Sequence, residues 1–225
     1  IHLLSKDIKG AIICITGAGG SIGGELTRQI IELNPMKVIL LDNSESNLYQ
    51  ITSEVERFCN EELELVPTLG NCCDLEFITN LFSQEKVDIV FHAAAYKHVP
   101  LVENNPIEGI GNNIISTLNV CKAAESSNVR NIVFISSDKA VRPTNLMGAS
   151  KRLSELILLA FSKSQIESSK KISFSMVRFG NVLGSSGSVV PLFKEQISRG
   201  GPITLTHHEI VRYFMTIPEA VELVI

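Results

Sequence analysis

A short apolar run ending at Ile135 leads into Ser136-Ser137-Asp138-Lys139, and Lys151 follows in the next helical pattern within Met147-Gly148-Ala149-Ser150-Lys151. A hydroxyl, a carboxylate and two amines meeting at one sheet edge can divide hydrogen bonding, acid and base roles, provided burial tunes their pKa values. The plainer alternative makes Ser137 and Asp138 turn residues and leaves Lys139 and Lys151 in solvent. A second cluster lies upstream, where the run Ala11–Thr16 opens directly into Gly17-Ala18-Gly19-Gly20-Ser21-Ile22-Gly23. There Gly17 permits a tight turn, Gly20 lets backbone approach a pyrophosphate and Gly23 allows close helix–strand packing. Ser21 and Ile22 open a helix whose N-terminus faces the negative charge. The next apolar run ends in Asp42, placed to accept both hydroxyls of an adenosine ribose and to repel a 2′-phosphate, which favours NAD over NADP.

These clusters require a frame that brings them to one crevice. Short β-branched runs alternate with longer helical patterns, which predicts βαβ units and a parallel sheet buried on both faces. Strands are expected at Ala11–Thr16, Lys37–Leu41, Leu63–Thr68, Ile89–His92, Asn131–Ile135 and Ser173–Arg178. Helices are expected near Ser21–Leu33, Ser46–Asn60, Leu75–Gln84, Ile107–Ser126 and Leu146–Lys163. The fold class is α/β: a Rossmann-type doubly wound parallel sheet over residues 1–178, with ligands at the carboxyl ends of its strands. After Arg178 the glycines Gly180, Gly184, Gly187, Gly200 and Gly201 break the rhythm. Residues 179–225 are therefore expected to begin a smaller, incomplete substrate-binding lobe, with a helix starting at Pro218.

Composition narrows the functional classes. The 225 residues carry 20 Lys and Arg against 24 Asp and Glu, a net charge of −4, which argues against a nucleic-acid binder. With 44% hydrophobic and 20% charged residues the chain is of globular type. No stretch approaches the roughly 18 consecutive apolar residues of a membrane span, so no membrane contact is expected of this segment. An odd count of five cysteines without metal-type spacing reads as reduced thiols in the cytoplasm, with no metal site. The chain opens at Ile1 without a Met, which suggests an excised region of a longer protein, one that a preceding segment could anchor to the inner membrane.

Asp74, after the third expected strand, suits either a helix cap or an adenine contact. Ala93, Ala94 and Ala95 are small enough for backbone to pass close to a cofactor.

The glycine loop, the hydroxyl–Asp–Lys segment, the helical Lys151 and the run Arg178-Phe179-Gly180-Asn181-Val182 together resemble the extended short-chain dehydrogenase/reductase superfamily. Within it, the runs 93–100, 138–141 and 212–215 (Ala93 to Pro100, Asp138 to Val141, Arg212 to Met215) are similar to the CapD/WbpM-like nucleotide-sugar 4,6-dehydratases of bacterial polysaccharide and glycan synthesis. The resemblance implies a lyase acting on UDP-N-acetylglucosamine through tightly held NAD. Hydride leaves sugar C4, water is lost across C5 and C6, and hydride returns to C6. Ser137 would hold the C4 oxygen, Asp138 would protonate the departing C6 hydroxyl, and Lys139 would remove the C5 proton. Lys151 would hold the nicotinamide ribose. Met147 stands where the superfamily has its Tyr base, and a thioether carries no transferable proton. Lys151 through water, or Ser137 in relay, are the candidates for that missing base. Lys97, Asn181, Lys194 and Arg212 resemble contacts to the sugar and diphosphate, and Asn113 resembles an Asn that steadies the active-site architecture. A homo-oligomer is frequent in the family, without an interface signal in this sequence. A UDP-sugar epimerase, or a non-catalytic dinucleotide-binding module, are the alternatives.

Overall fold

The computed structural model describes residues 5–59, 63–165, 171–185, 189–205, 207–209 and 211–225. The first half of the chain alternates strands and helices: α1 (Ser5–Ile8), β1 (Ile12–Thr16), α2 (Ser21–Ile31), β2 (Lys37–Asp42), α3 (Glu45–Val55), β3 (Glu64–Leu69), α4 (Leu75–Gln84) and β4 (Ile89–His92). There follow α5 (Val99–Asn104), α6 (Pro106–Ser126), β5 (Asn131–Ser137), a 3-10 turn (Asp138–Ala140), α7 (Leu146–Ser164) and β6 (Ser173–Phe179). The last part holds β7 (Asn181–Val182), α8 (Val189–Ser198), β8 (Phe214–Met215) and α9 (Ile217–Glu222).

Six strands form one sheet in the order β3-β2-β1-β4-β5-β6, every pair parallel. This is the expected doubly wound order, which reverses between β1 and β4 and opens a crevice at their carboxyl ends. Side chains of a strand alternate between faces, and β1 is apolar on both. Ile13 and Ile15 pack with Leu26, Ile30 and Leu48 under α2 and α3, whereas Ile12 and Cys14 pack with Val90, Val120 and Ala123 under α6. At the edge, β3 mixes exposed and partly covered residues and carries Pro67, a residue confined to strands with one free side.

Helix starts follow local chemistry. Ser44, Asp74 and Asn145 each accept a hydrogen bond from the backbone N–H three residues on, at the heads of α3, α4 and α7. Thr216 and Glu219 form a reciprocal capping box at α9.

Three differences from the sequence reading matter. Strand β5 runs on to Ser137, so Ser136 and Ser137 sit on the sheet rather than in a loop. A short helix, α5, forms after the Ala93–Ala95 segment; its six residues with Pro100 in the first turn are too few to show a helical period. Finally, α9 does not extend the second lobe. Val221, Val224 and Ile225 join the core that holds Ile30, because the apolar face of Ala220–Ile225 has a place under α2. Between them, β7 and β8 pair as a separate two-stranded sheet, and α8 buries none of its residues. Asn60, at the expected end of the second predicted helix, and Gly187 lie outside the described residues; the observed helix there, α3, ends at Val55. No described helix is long and apolar enough to cross a membrane.

Candidate active site

β1 turns at Gly17, whose φ of +67° is a left-handed conformation that favours glycine. A Cβ there would also come within 2.8 Å of the Ala94 backbone. At Gly23 a Cβ would run into the Gly17 carbonyl, so α2 starts as near to β1 as backbone permits. The loop is tied to the end of β2 by Asp42, which is 7% exposed and accepts from Gly19 N–H and Ser44 N–H, both at 2.9 Å. A carboxylate has about four acceptor sites, so capacity for ribose hydroxyls is left. Gly19 had no role in the sequence reading; its N–H holds Asp42, and a Cβ on it would meet Asn47 of α3.

Two cavities open along this edge. The larger, of about 710 Å³, runs from Gly17, Gly20, Ser21, Ile22 and Gly23 past Ala93 and Ala95 to the reacting cluster. The smaller, of about 230 Å³, reaches Asp42 and Asn71 and shares Gly17, Gly20, Ala93 and Ala95 as wall; Ala94 lines it as well. The expected cofactor residues therefore border one trough, with the exception of Asp74. Its carboxylate accepts from Phe77 N–H at 3.0 Å as the cap of α4, outside both linings.

At the far end, Ser137, Lys139, Met147 and Lys151 all line the larger cavity. Ser137 Oγ donates to Asp138 Oδ1 at 2.9 Å, and Lys139 Nζ donates to the same oxygen at 3.1 Å and to Asn181 Oδ1 at 3.5 Å. Asp138 stands at the rim, outside the lining, with half its side chain exposed. Partial desolvation pushes its carboxyl up, but the hydrogen bonds from Lys139 and Ser137 prevail and hold it below the usual carboxylate range. Gly148 lets this turn rest on α7, since a Cβ there would strike the Lys139 carbonyl.

Lys151 is 6% exposed; its Nζ donates to the Ile135 carbonyl at 2.9 Å and lies 4.6 Å from the centre of the Phe134 ring. Burial lowers its pKa to about 8, against the Glu155 carboxylate, which raises it. Met147 is buried one turn earlier on α7 and lines the cavity. Asn113, 1% exposed, clamps the loop after β4: Oδ1 accepts from Tyr96 N–H at 2.7 Å, while Nδ2 donates to Tyr96 O at 3.0 Å and Ser150 Oγ at 2.9 Å. Beneath it His92 is buried between Thr16 and Thr117, and burial, then the Lys151 charge, lowers its pKa to about 3.

Of the expected sugar and diphosphate contacts, Lys97 and Asn181 line the larger cavity, and desolvation lowers the Lys97 pKa although its side chain is exposed overall. Lys194 on α8 and Arg212 before β8 are exposed and outside both linings.

Sequence reasoning missed Glu155. Its side chain is wholly buried on α7, and it accepts from Ser136 Oγ at 2.6 Å, Arg178 Nε at 2.7 Å and Nη2 at 2.5 Å, and Arg152 Nη1 at 2.9 Å. Desolvation alone would raise its pKa; the bonds from Arg178, Ser136 and Arg152 hold it well below the usual carboxylate range. The available signal was its place four residues after Lys151, on the same helix face.

Residues 13–225 match the family model described as polysaccharide biosynthesis protein. The chain is 48% identical to the capsular polysaccharide biosynthesis protein CapD of Staphylococcus aureus, over 99% of this chain and 37% of that protein. It is 35% identical to an inverting UDP-N-acetylglucosamine 4,6-dehydratase of Campylobacter jejuni, over 96% of this chain and 63% of that protein. It is also 35% identical to a UDP-glucose 4-epimerase of Rickettsia canadensis, over 95% and 61% respectively. The chain thus spans between about a third and two-thirds of the length of these relatives. Among solved structures, Pen from Bacillus thuringiensis superposes with a TM-score of 0.88 at 34% identity, covering 96% of this chain and 66% of that one. DesIV, a dTDP-glucose 4,6-dehydratase from Streptomyces venezuelae solved with NAD, shares the fold at 21% identity and a TM-score of 0.78, covering 93% of this chain and 69% of that one.

Proposed function

The chain belongs to the polysaccharide biosynthesis protein family, and we propose on that premise that it is the catalytic region of an NAD-dependent nucleotide-sugar 4,6-dehydratase acting on UDP-N-acetylglucosamine. The observation that carries this reading is that Gly17, Gly20 and Gly23 share one cavity lining with Ser137 and Lys139, both of which are bonded to Asp138 at the rim. The residues fit NAD: the backbone of Gly17 and Gly20 borders both cavities, and the buried Asp42, beside the smaller one, keeps acceptor capacity that would suit ribose hydroxyls. Bound NAD supplies the hydride acceptor at sugar C4 and the hydride donor at C6.

The remaining work falls to side chains. Ser137 holds the C4 oxygen and relays the proton that the C4 hydroxyl gives up as hydride leaves to Lys151, which, with a pKa near 8, takes it up as the neutral amine and also helps orient the cofactor's ribose. Once C4 is a ketone, the C5 proton is acidic enough for Lys139 to remove. That step needs a neutral amine and, at the C6 hydroxyl, a proton donor. In the free protein Asp138 is ionised beside Lys139. Transfer of one proton along their 3.1 Å hydrogen bond produces both required forms together, and a bound sugar that excludes water favours the uncharged pair. Lys97 and Asn181, which line the larger cavity, contact the nucleotide sugar.

The epimerase relative supports a second reading, UDP-sugar epimerisation at C4. That reaction has no use for an acid and a base across C5 and C6, so the Asp138–Lys139 pair favours dehydration. The test is incubation of the full-length protein with NAD and UDP-N-acetylglucosamine, followed by proton NMR. A 4-keto-6-deoxy sugar with a new C6 methyl signal is the expected product. A C4 epimer selects the second reading, and unchanged sugar overturns both.

A further inference from the structure

Glu155 is the buried ionised group that this mechanism does not use. Its four hydrogen bonds join three elements: α7, which carries it; the end of β5, through Ser136; and the end of β6, through Arg178. Those three ends hold the reacting groups. Ile135, just before Ser136, supplies the carbonyl that fixes the Lys151 amine. Ser137, just after it, bears the hydroxyl bonded to Asp138. Three residues beyond Arg178, Asn181 accepts from Lys139. On α7, Lys151 is one turn before Glu155.

An isolated carboxylate in that position is costly, and an ion pair there adds little stability compared with apolar packing of the same volume. Its place there is better accounted for by geometry. A bidentate Arg–carboxylate pair fixes direction as well as distance, and a reacting group displaced by about 1 Å can lose about 100-fold in rate.

We propose that Glu155 is a positioning residue of the active site, setting the register of the β5 and β6 ends through Ser136 and Arg178 so that Ser137, Lys139, Lys151 and Asn181 converge. The inference rests on the function proposed above for its kinetic part only. Glu155 also raises the Lys151 pKa, against burial, with His92 the other titratable group nearby.

The experiment uses the full-length protein labelled with carbon-13 at the lysine ε-carbons. In Glu155→Gln, the Lys151 titration midpoint is expected to move below that of the wild type. Ser136→Ala keeps every ion pair and guards against a Glu155 variant that fails to fold. Its Lys151 ε-carbon resonance is expected to shift, because the Ile135 carbonyl loses its neighbour's anchor. With NAD and UDP-N-acetylglucosamine, Ser136→Ala should lower kcat about 30-fold at unchanged KM, a fraction of the loss expected for full misplacement, and Ser136→Thr should restore most of it. A Lys151 resonance unaltered in Ser136→Ala, or wild-type kcat in that variant, overturns the proposal. If the wild type converts no sugar, the function proposed above falls, and the Lys151 resonance alone decides whether Glu155 positions this cluster.

Discussion

The two ends of the large cavity are built from different materials. At the cofactor end the shape is made by backbone: Gly17 in a left-handed turn and Gly23 against the Gly17 carbonyl, with N–H groups of Gly19 and Ser44 holding Asp42 beside the adjoining smaller cavity. At the reacting end it is made by side chains: Ser137, Asp138, Lys139 and Asn181 bonded in sequence, and Lys151 and Glu155 buried behind them. Backbone can be altered only by adding atoms, whereas a side-chain cluster can be retuned by single replacements. Binding and chemistry should therefore separate cleanly under mutation.

The largest break in that separation is expected from Lys139→Ala. Loss of a general base typically costs about 100- to 10,000-fold in rate, so turnover and C5 proton exchange with solvent should fall by about 1,000-fold while NAD binding, followed by calorimetry, stays within twofold (~2) of the wild type. Retained C5 exchange would remove Lys139 from the base role. Next in size, Gly23→Ala pushes a methyl group at the Gly17 carbonyl. A cost of roughly 2 kcal/mol from the displaced loop corresponds to about 30-fold weaker NAD binding. The melting temperature should fall too, and an NAD affinity equal to the wild type would show that the loop does not hold NAD.

Smaller still, Asp42→Asn should weaken NAD about tenfold, the effect of one charged hydrogen bond, and narrow the preference for NAD over NADP. At saturating NAD its kcat should equal that of the wild type. An Asp42→Asn enzyme that loses kcat instead of affinity would blur the two ends.

The last effect concerns pH and bears on stability rather than on turnover or binding. The folded His92 pKa is about 3, below the 6.5 of an unfolded His. The unfolded chain then binds the extra proton between these values, so stability present above about pH 6.5 declines as pH falls toward 3. His92→Gln should flatten that decline in urea titrations between pH 7 and 5; an unchanged slope would mean that His92 is not the group responsible.

The same division of materials explains what could be read from sequence. Backbone-built features leave local marks. The spacing of Gly17, Gly20 and Gly23 after a β-branched run, with Asp42 at the next strand end, marked the tight turn between β1 and α2 because each residue type is dictated by its own conformation or approach. The six strands of the sheet were legible for the same reason: a strand buried on both faces, such as Ile12–Thr16, has to be apolar throughout.

Side-chain networks leave no such mark. Glu155 meets Ser136 across 19 positions and Arg178 across 23, and nothing in either neighbourhood announces the partner. Asp74 satisfied two local rules equally, and only the placement of Phe77 N–H shows it as a cap. Lys194 and Arg212 sit where Leu192, Val211 and Tyr213 are also exposed, so local chemistry could name candidates there without placing them. The return of α9 to the main core escaped notice because its apolar face is identical in form to that of any helix opening a new lobe.

The central claim is that one cavity lets a sugar ring lend a hydride at C4 and take it back at C6. UDP-N-acetylglucosamine carrying deuterium at C4, given to the full-length protein with unlabelled NAD, tests it directly. Deuterium in the C6 methyl group of a 4-keto product is the result this account predicts. Deuterium retained at C4, or a C6 methyl group free of label, would contradict it.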